Sequence, residues 1–153
     1  MNLASNGNVS LVSRWFLRPG AEEAGWAALL ELAEAVFVNE PDTLTYLVHA
    51  PLIDHWRLQS LPPVGPLSVE FYEVYRDAQA FLNHVNGEVF QWFLKTYGSL
   101  FVASNGRPYT TVEFMTARAG FSRPGVTAAP DRAAGEVRGH SGATSRSGAG
   151  DRA

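Results

Sequence analysis

The sequence predicts an α+β domain, with four strands and two helices in the order βαββαβ folded as a four-stranded antiparallel sheet that carries both helices on one face. Three observations predict it. Four short segments rich in β-branched and aromatic residues alternate with period two, and segments of three-and-four apolar spacing fall between the first and second and between the third and fourth of them. All four Trp, five Tyr and nine Phe lie in residues 1–121, so the material for a core is confined there.

The first strand is read in Val9-Ser10-Leu11-Val12-Ser13-Arg14-Trp15-Phe16-Leu17, closed by the turn residues Arg18-Pro19-Gly20. From Ala21 to Val38, the residues Trp26, Leu29, Leu30, Ala33, Val36 and Phe37 recur at helical spacing, and Glu22 and Glu23 suit the positive end of the helix dipole. Pro41 ends that helix because it disfavours the α region for the residue before it. Thr43 to His49 then alternates as the second strand, and Leu67 to Tyr75 as the third, with Val69, Phe71, Glu73 and Tyr75 on one face. Asp77 is a candidate cap for a helix through Ala80, Phe81, His84 and Val85 that breaks at Asn86-Gly87. A second helical stretch carries Phe90, Phe93, Leu94, Tyr97, Leu100 and Phe101. After the turn Ser104-Asn105-Gly106-Arg107-Pro108, Tyr109 to Ala117 alternates as the fourth strand.

At 153 residues, 46% of them apolar, the chain suits one domain rather than a multidomain enzyme. A net charge of −3 gives no electrostatic reason to expect nucleic acid or an anionic membrane as a partner. The absence of cysteine excludes disulfides, thiolate nucleophiles and cysteine-bound metals. No charged leader with an apolar run and no uninterrupted apolar stretch of about 18 residues is visible, so the expected compartment is the cytoplasm. Residues 122–153 are Ala-, Gly-, Ser- and Arg-rich, with Val126 and Val137 as their only sizeable apolar side chains. Such a segment does not bury enough surface to offset its ordering entropy, and a disordered tail is expected beyond the domain at 1–121.

No phosphate-binding glycine loop, HExxH or GxSxG is present, so nucleotide-binding, zinc-peptidase and α/β-hydrolase readings lack support. His49, Asp54 and His55 are irregularly spaced and make a weak metal set, so no metal is expected. The seventeen-residue connection Ala50 to Pro66 is far longer than a hairpin needs and holds Leu52, Ile53, Trp56, Leu58 and Leu61. A lid or a piece of subunit interface is expected there.

Several stretches carry a family resemblance: Arg18-Pro19-Gly20, Glu40-Pro41-Asp42-Thr43-Leu44-Thr45-Tyr46, and Glu73-Val74-Tyr75-Arg76-Asp77 running on through Ala80-Phe81 to His84. Over about residues 9 to 117 the chain resembles the antibiotic biosynthesis monooxygenase-like family, whose signatures E-P-G-T-L-x-Y and E-x-Y-x-D-x-x-A-F-x-x-H these segments match, Asp42 replacing the usual Gly. The resemblance implies a ferredoxin-like fold and a homodimer, the dimeric α+β barrel, in which the sheet faces pair. It implies a monooxygenase that needs no cofactor and takes dioxygen and an aromatic polyketide or quinol-type small molecule. Haem-degrading relatives would place their ligand histidine near Leu94, and leucine does not ligate iron.

Such chemistry needs one base within hydrogen-bond reach of a phenolic or enolic proton and an apolar pocket for a planar substrate. His84 is the candidate base, and Glu73, on the strand face that meets the broken helix, is the candidate to orient its imidazole. Tyr46, Trp92, Phe90, Phe93, Trp15 and His49 are candidate pocket residues. Against this stands a plain structural reading, in which His84 is a buried histidine paired with Glu73 and the aromatic residues are core. Two other functions use the same fold: a non-catalytic dimeric binding or stress-related protein, and an isomerase of a small hydroxy-carbonyl compound.

Overall fold

A computed structural model describes residues 7–123, and the expected tail lies outside the described residues from position 124 onward. The elements are β1 (Val9–Phe16), α1 (Glu22–Asn39), β2 (Thr43–His49), β3 (Ser68–Tyr75), α2 (Ala78–Asn86), α3 (Glu88–Tyr97), the two-residue strands β4 (Ala103–Ser104) and β5 (Arg107–Pro108), and β6 (Thr111–Met115). The sheet order is β2-β3-β1-β6, antiparallel throughout. This is the ferredoxin-like arrangement expected from the βαββαβ pattern.

Register divides the sheet into two faces. β1 and β3 pair from Val9 opposite Tyr75 to Phe16 opposite Ser68. Directly opposed residues share a face. Leu11, Ser13 and Trp15 therefore lie beside Glu73, Phe71 and Val69 under the helices, while Val12 and Arg14 lie beside Tyr72 and Glu70 on the other face. The main core gathers Trp15, Leu17, Val69 and Phe71 from the sheet side with Leu29, Leu32 and Val36 of α1 and Phe93 of α3. Asp77 caps α2 as the sequence suggests, accepting the Ala80 N–H at 2.8 Å. Between α2 and α3 stands Gly87, where an added Cβ would sit 2.5 Å from the Asn83 carbonyl oxygen, so a side chain there would force the two helices apart.

Three expectations are corrected. The packed face of α1 is Gly25, Ala28, Leu29, Leu32 and Val36, whereas Leu30 and Phe37, placed on that face from the sequence, are 47% and 87% exposed. The reason is Leu17, whose buried side chain occupies the space that a Cβ on Gly25 would need; the helix turns its smallest residues toward it. The last α-helix ends at Tyr97 and continues as one 3₁₀ turn over Gly98–Leu100, but Phe101 leaves it, extended and with its backbone bridging Leu17. The last strand is Thr111–Met115, shorter than Tyr109 to Ala117, because the chain before it forms the β4–β5 ribbon. That ribbon turns on Asn105 and Gly106, both at positive φ, as two-residue hairpins with right-handed twist require.

The Ala50 to Pro66 connection crosses the sheet face that the helices leave open. Its two ends, at Pro51-Leu52 and Leu61-Pro62, enclose a space of about 600 Å³ over Val12, Arg14, Glu70 and Tyr72. No helix among the described residues is long and apolar enough to cross a membrane.

Candidate active site

Beneath the helices, the odd-numbered side chains of β1 and β3 form the floor of a cavity of about 160 Å³. Leu11, Ser13, Trp15, Phe71 and Glu73 come from that floor, Tyr46 from β2, Phe81, His84 and Val85 from α2, and Phe90 from α3. Thr110 and Val112 border it at the β6 edge. The walls are apolar and largely aromatic. Polar groups enter at His84, at the Glu73–Ser13 pair and at Thr110.

His84 is 3% exposed and its Nδ1 lies 2.7 Å from Glu40 Oε2. A carboxylate only accepts hydrogen bonds, so the bond places the ring proton on Nδ1 and leaves the Nε2 lone pair as the basic site of the neutral ring. Glu40 is itself fixed. It is the residue that closes α1, its N–H bonded to the Val36 carbonyl at 2.9 Å, and its carboxylate also accepts from Thr43 Oγ1 at 3.2 Å. The rings of Tyr46, Tyr75 and Phe90 stand 5.0–5.6 Å from the imidazole and hold its orientation by packing. On the far side of the pair a second space of about 420 Å³ opens, lined by Glu40, Asp42, Asn83, His84 and Glu88. His84 is thus part of the wall between the inner cavity and this outer groove.

Glu73 faces the same cavity and is buried, but its hydrogen bonds go elsewhere. Tyr75 donates its hydroxyl to Oε2 at 2.5 Å and Ser13 donates to Oε1 at 3.3 Å. Burial raises the Glu73 carboxyl above its ordinary range, and the Tyr75 bond, the nearby His84 and the Ser13 bond offset part of that rise. Tyr75 is also pushed above its usual value, by burial first and then by the Glu73 charge. Tyr46 is raised well above its usual value by burial, with Glu73 and Glu40 adding to it. Both phenols therefore remain neutral donors across the physiological range.

The structure brings His84, Glu73, Tyr46, Phe90 and Trp15 to one cavity. It corrects the pairing: the carboxylate on the imidazole is Glu40, because both Glu73 oxygens are already engaged by Tyr75 and Ser13. Trp92 lies away from the cavity on the outer side of α3, its ring 5.7 Å from Tyr97. Phe93 is core, between Trp15 and Phe101. His49 sits on the opposite sheet face, opposed to Glu70 and beside the long connection. That connection is accordingly not a lid over this chain's own inner cavity. His55 bonds within its own loop, accepting from the Arg57 N–H, and among the described residues no group of three His, Cys, Asp or Glu is placed to hold a metal. Sequence reasoning missed Glu40, Tyr75, Ser13, Thr110 and Val112 as site residues. For Glu40 a signal existed, since it opens one of the two signature segments and His84 ends the other.

The sequence profile of the family described as antibiotic biosynthesis monooxygenase matches residues 8–96. Among solved structures, the chain is similar to a protein of Caulobacter crescentus CB15 provisionally named an antibiotic biosynthesis monooxygenase, with 19% identity, 77% of this chain and 96% of that chain covered, and a TM-score of 0.60. A protein of Bacteroides thetaiotaomicron VPI-5482 with the same provisional name gives 20% identity, 82% and 100% coverage, and a TM-score of 0.56. A conserved protein from Methanosarcina mazei Go1 gives 14% identity, 77% and 100% coverage, and a TM-score of 0.56. At these identities the likeness is one of fold. No protein of the curated set matches the chain in sequence.

Proposed function

Because the chain belongs to the antibiotic biosynthesis monooxygenase family, we propose that the inner cavity is the active site of a monooxygenase that needs no cofactor and acts on an aromatic, quinol- or polyketide-type small molecule, with His84 as general base and Glu40 as its positioning residue. The observation that carries this reading is the 2.7 Å bond from Glu40 to Nδ1 of a histidine that lines an aromatic-walled cavity. Nε2 takes the proton of a phenolic or enolic hydroxyl, and the electron-rich anion passes an electron to dioxygen. Recombination gives a peroxide at ring carbon, whose collapse leaves one oxygen atom in the product and releases the other as water. For a hydroquinone the balance is hydroquinone plus dioxygen to hydroxyquinone plus water. The chain's own residues bind the ring, hold the base and exclude bulk water, and the outer groove beside Glu40 gives the proton a route out that does not cross the occupied cavity.

A homodimer belongs to the same reading. Val12, Tyr72, Leu47 and Met115 face away from the helices, beside the Arg14–Glu70 ion pair, His49 and Glu113, and the long connection covers one end of that face. A second copy packed there would cover the rest.

The test is oxygen uptake by the purified, metal-free protein with a panel of hydroquinones and anthrones, run beside His84→Ala. Uptake that requires the protein and collapses in the variant is the expected result. No uptake across the panel overturns the oxygenase reading in favour of an isomerase or a binding protein.

A further inference from the structure

We infer that the inner cavity admits one six-membered aromatic ring bearing an ionisable hydroxyl, and that a second ring fused beside that hydroxyl is excluded from it. The inference rests on the reading that the cavity beside His84 is the active site, and narrows its substrate to phenols and hydroquinones with no ring fused beside the hydroxyl. Size carries it. The cavity holds about 160 Å³, and an apolar protein cavity of about 150 Å³ is filled by one benzene ring. The space opens along β6, so a further ring is accommodated only where it leaves by that mouth, and one fused beside the hydroxyl meets the wall. The walls do not yield readily, because Trp15 is locked among Phe71, Phe90, Phe93 and Phe101 at 5.2–6.2 Å and Phe71 is itself buried against Tyr46.

The chemistry of the lining agrees with the size. Ring faces and edges from Trp15, Tyr46, Phe71 and Phe90 suit a flat aromatic guest. Polar groups stand at His84 on the helix side and at Glu73 with Ser13 on the sheet side, which suits a ring carrying hydroxyls rather than a hydrocarbon. The way in lies along β6, where Val112 and Phe114 are exposed although they point to the helix side of the sheet. Phe81 of α2 meets Phe114 there edge to face at 5.1 Å. Ring substituents leave the cavity past Phe81 and Val112, so a chain or small group on the ring is tolerated while a second ring fused beside the hydroxyl is not.

The experiment is calorimetric titration of the full chain with phenol, 1-naphthol and 1-anthrol, a series in which the hydroxyl is kept and rings are added. Phenol is expected to bind at least tenfold more tightly than 1-naphthol, and 1-anthrol not to compete with it. Phe90→Ala enlarges the cavity and is expected to reverse the order of phenol and 1-naphthol; Val85→Ala does the same to a smaller degree and serves if the first variant fails to fold. Equal or tighter binding of the larger phenols by the unmodified chain overturns the inference, as does failure of phenol to bind. Failure of the oxygenase reading looks different: phenol binds with the stated size order, yet hydroquinone supports no oxygen uptake.

Discussion

Replacing Glu40 by Gln isolates what its carboxylate does for His84. The Gln carbonyl still accepts from Nδ1, so the tautomer and the ring position are kept, while the negative charge is lost. A hydrogen bond to a charged group contributes about 1.5–3 kcal/mol, and a neutral one about 0.5–1.5. The difference, roughly 1–2 kcal/mol, is largest when the ring becomes imidazolium, that is, after it has taken the substrate proton. Solvent screens the pair little, since the His84 and Glu40 side chains are 3% and 16% exposed. The expected cost is therefore a fall of about 5- to 30-fold in kcat, at about 1.4 kcal/mol per factor of ten. KM should stay near its original value, because the lost interaction belongs to the transition state and not to the bound substrate. Initial rates of oxygen uptake with hydroquinone measure both, and a thermal melt of the same preparation measures stability. An unchanged kcat refutes the positioning role. A fall in kcat matched by a large loss of Tm would show Glu40 to be a structural partner of His84 and no more.

Two further outcomes test the physics around the site. Glu73→Gln probes the buried carboxyl: a value raised in the folded state means that the group favours folding below the unfolded value of 4.5 and that this contribution is lost as pH rises through the folded-state value. The variant should match the original chain in Tm near pH 4 and exceed it increasingly toward neutrality, and a difference independent of pH would contradict the sign. Gly25→Ala gains about 1 kcal/mol of helix propensity but drives its Cβ into buried Leu17, an overpacking that costs about 1–3 kcal/mol. It should lower stability in urea unfolding, whereas in a Leu17→Ala background the same change should raise it; the same sign in both backgrounds would refute the packing account of the α1 face.

Much of the fold was legible because period-two alternation identifies a strand wherever one face is buried, as in Val9 to Phe16 and Ser68 to Tyr75. The face of α1 was not legible, because its choice depends on a contact outside the helix. Counting large apolar residues favoured Leu30 and Phe37, but the volume of Leu17, brought over the helix by the turn at Arg18 to Gly20, selects Gly25 and Ala28 instead. The long connection announced itself by length and by its apolar content. Which sheet face it covers is a tertiary matter, settled by the side to which β2 and β3 deliver its ends.

The candidate site shows the same division in its chemistry. Strand parity placed Glu73 in the cavity and helical spacing placed His84 there, and both lie where those periodicities put them. Their direct pairing did not follow, since both oxygens of Glu73 are taken by Tyr75 and Ser13 and the nearer free carboxylate is that of Glu40. Glu73 sits at the dry end, where desolvation favours its protonated form and two hydroxyls fill its oxygens. Glu40 stands at the end of α1 beside the open groove, and one of its oxygens reaches Nδ1. An imidazole that must become cationic during turnover is better served by the second kind of partner. The residues are 44 positions apart, so no local pattern reports the pairing, and only the meeting of the two signature segments in space makes it visible.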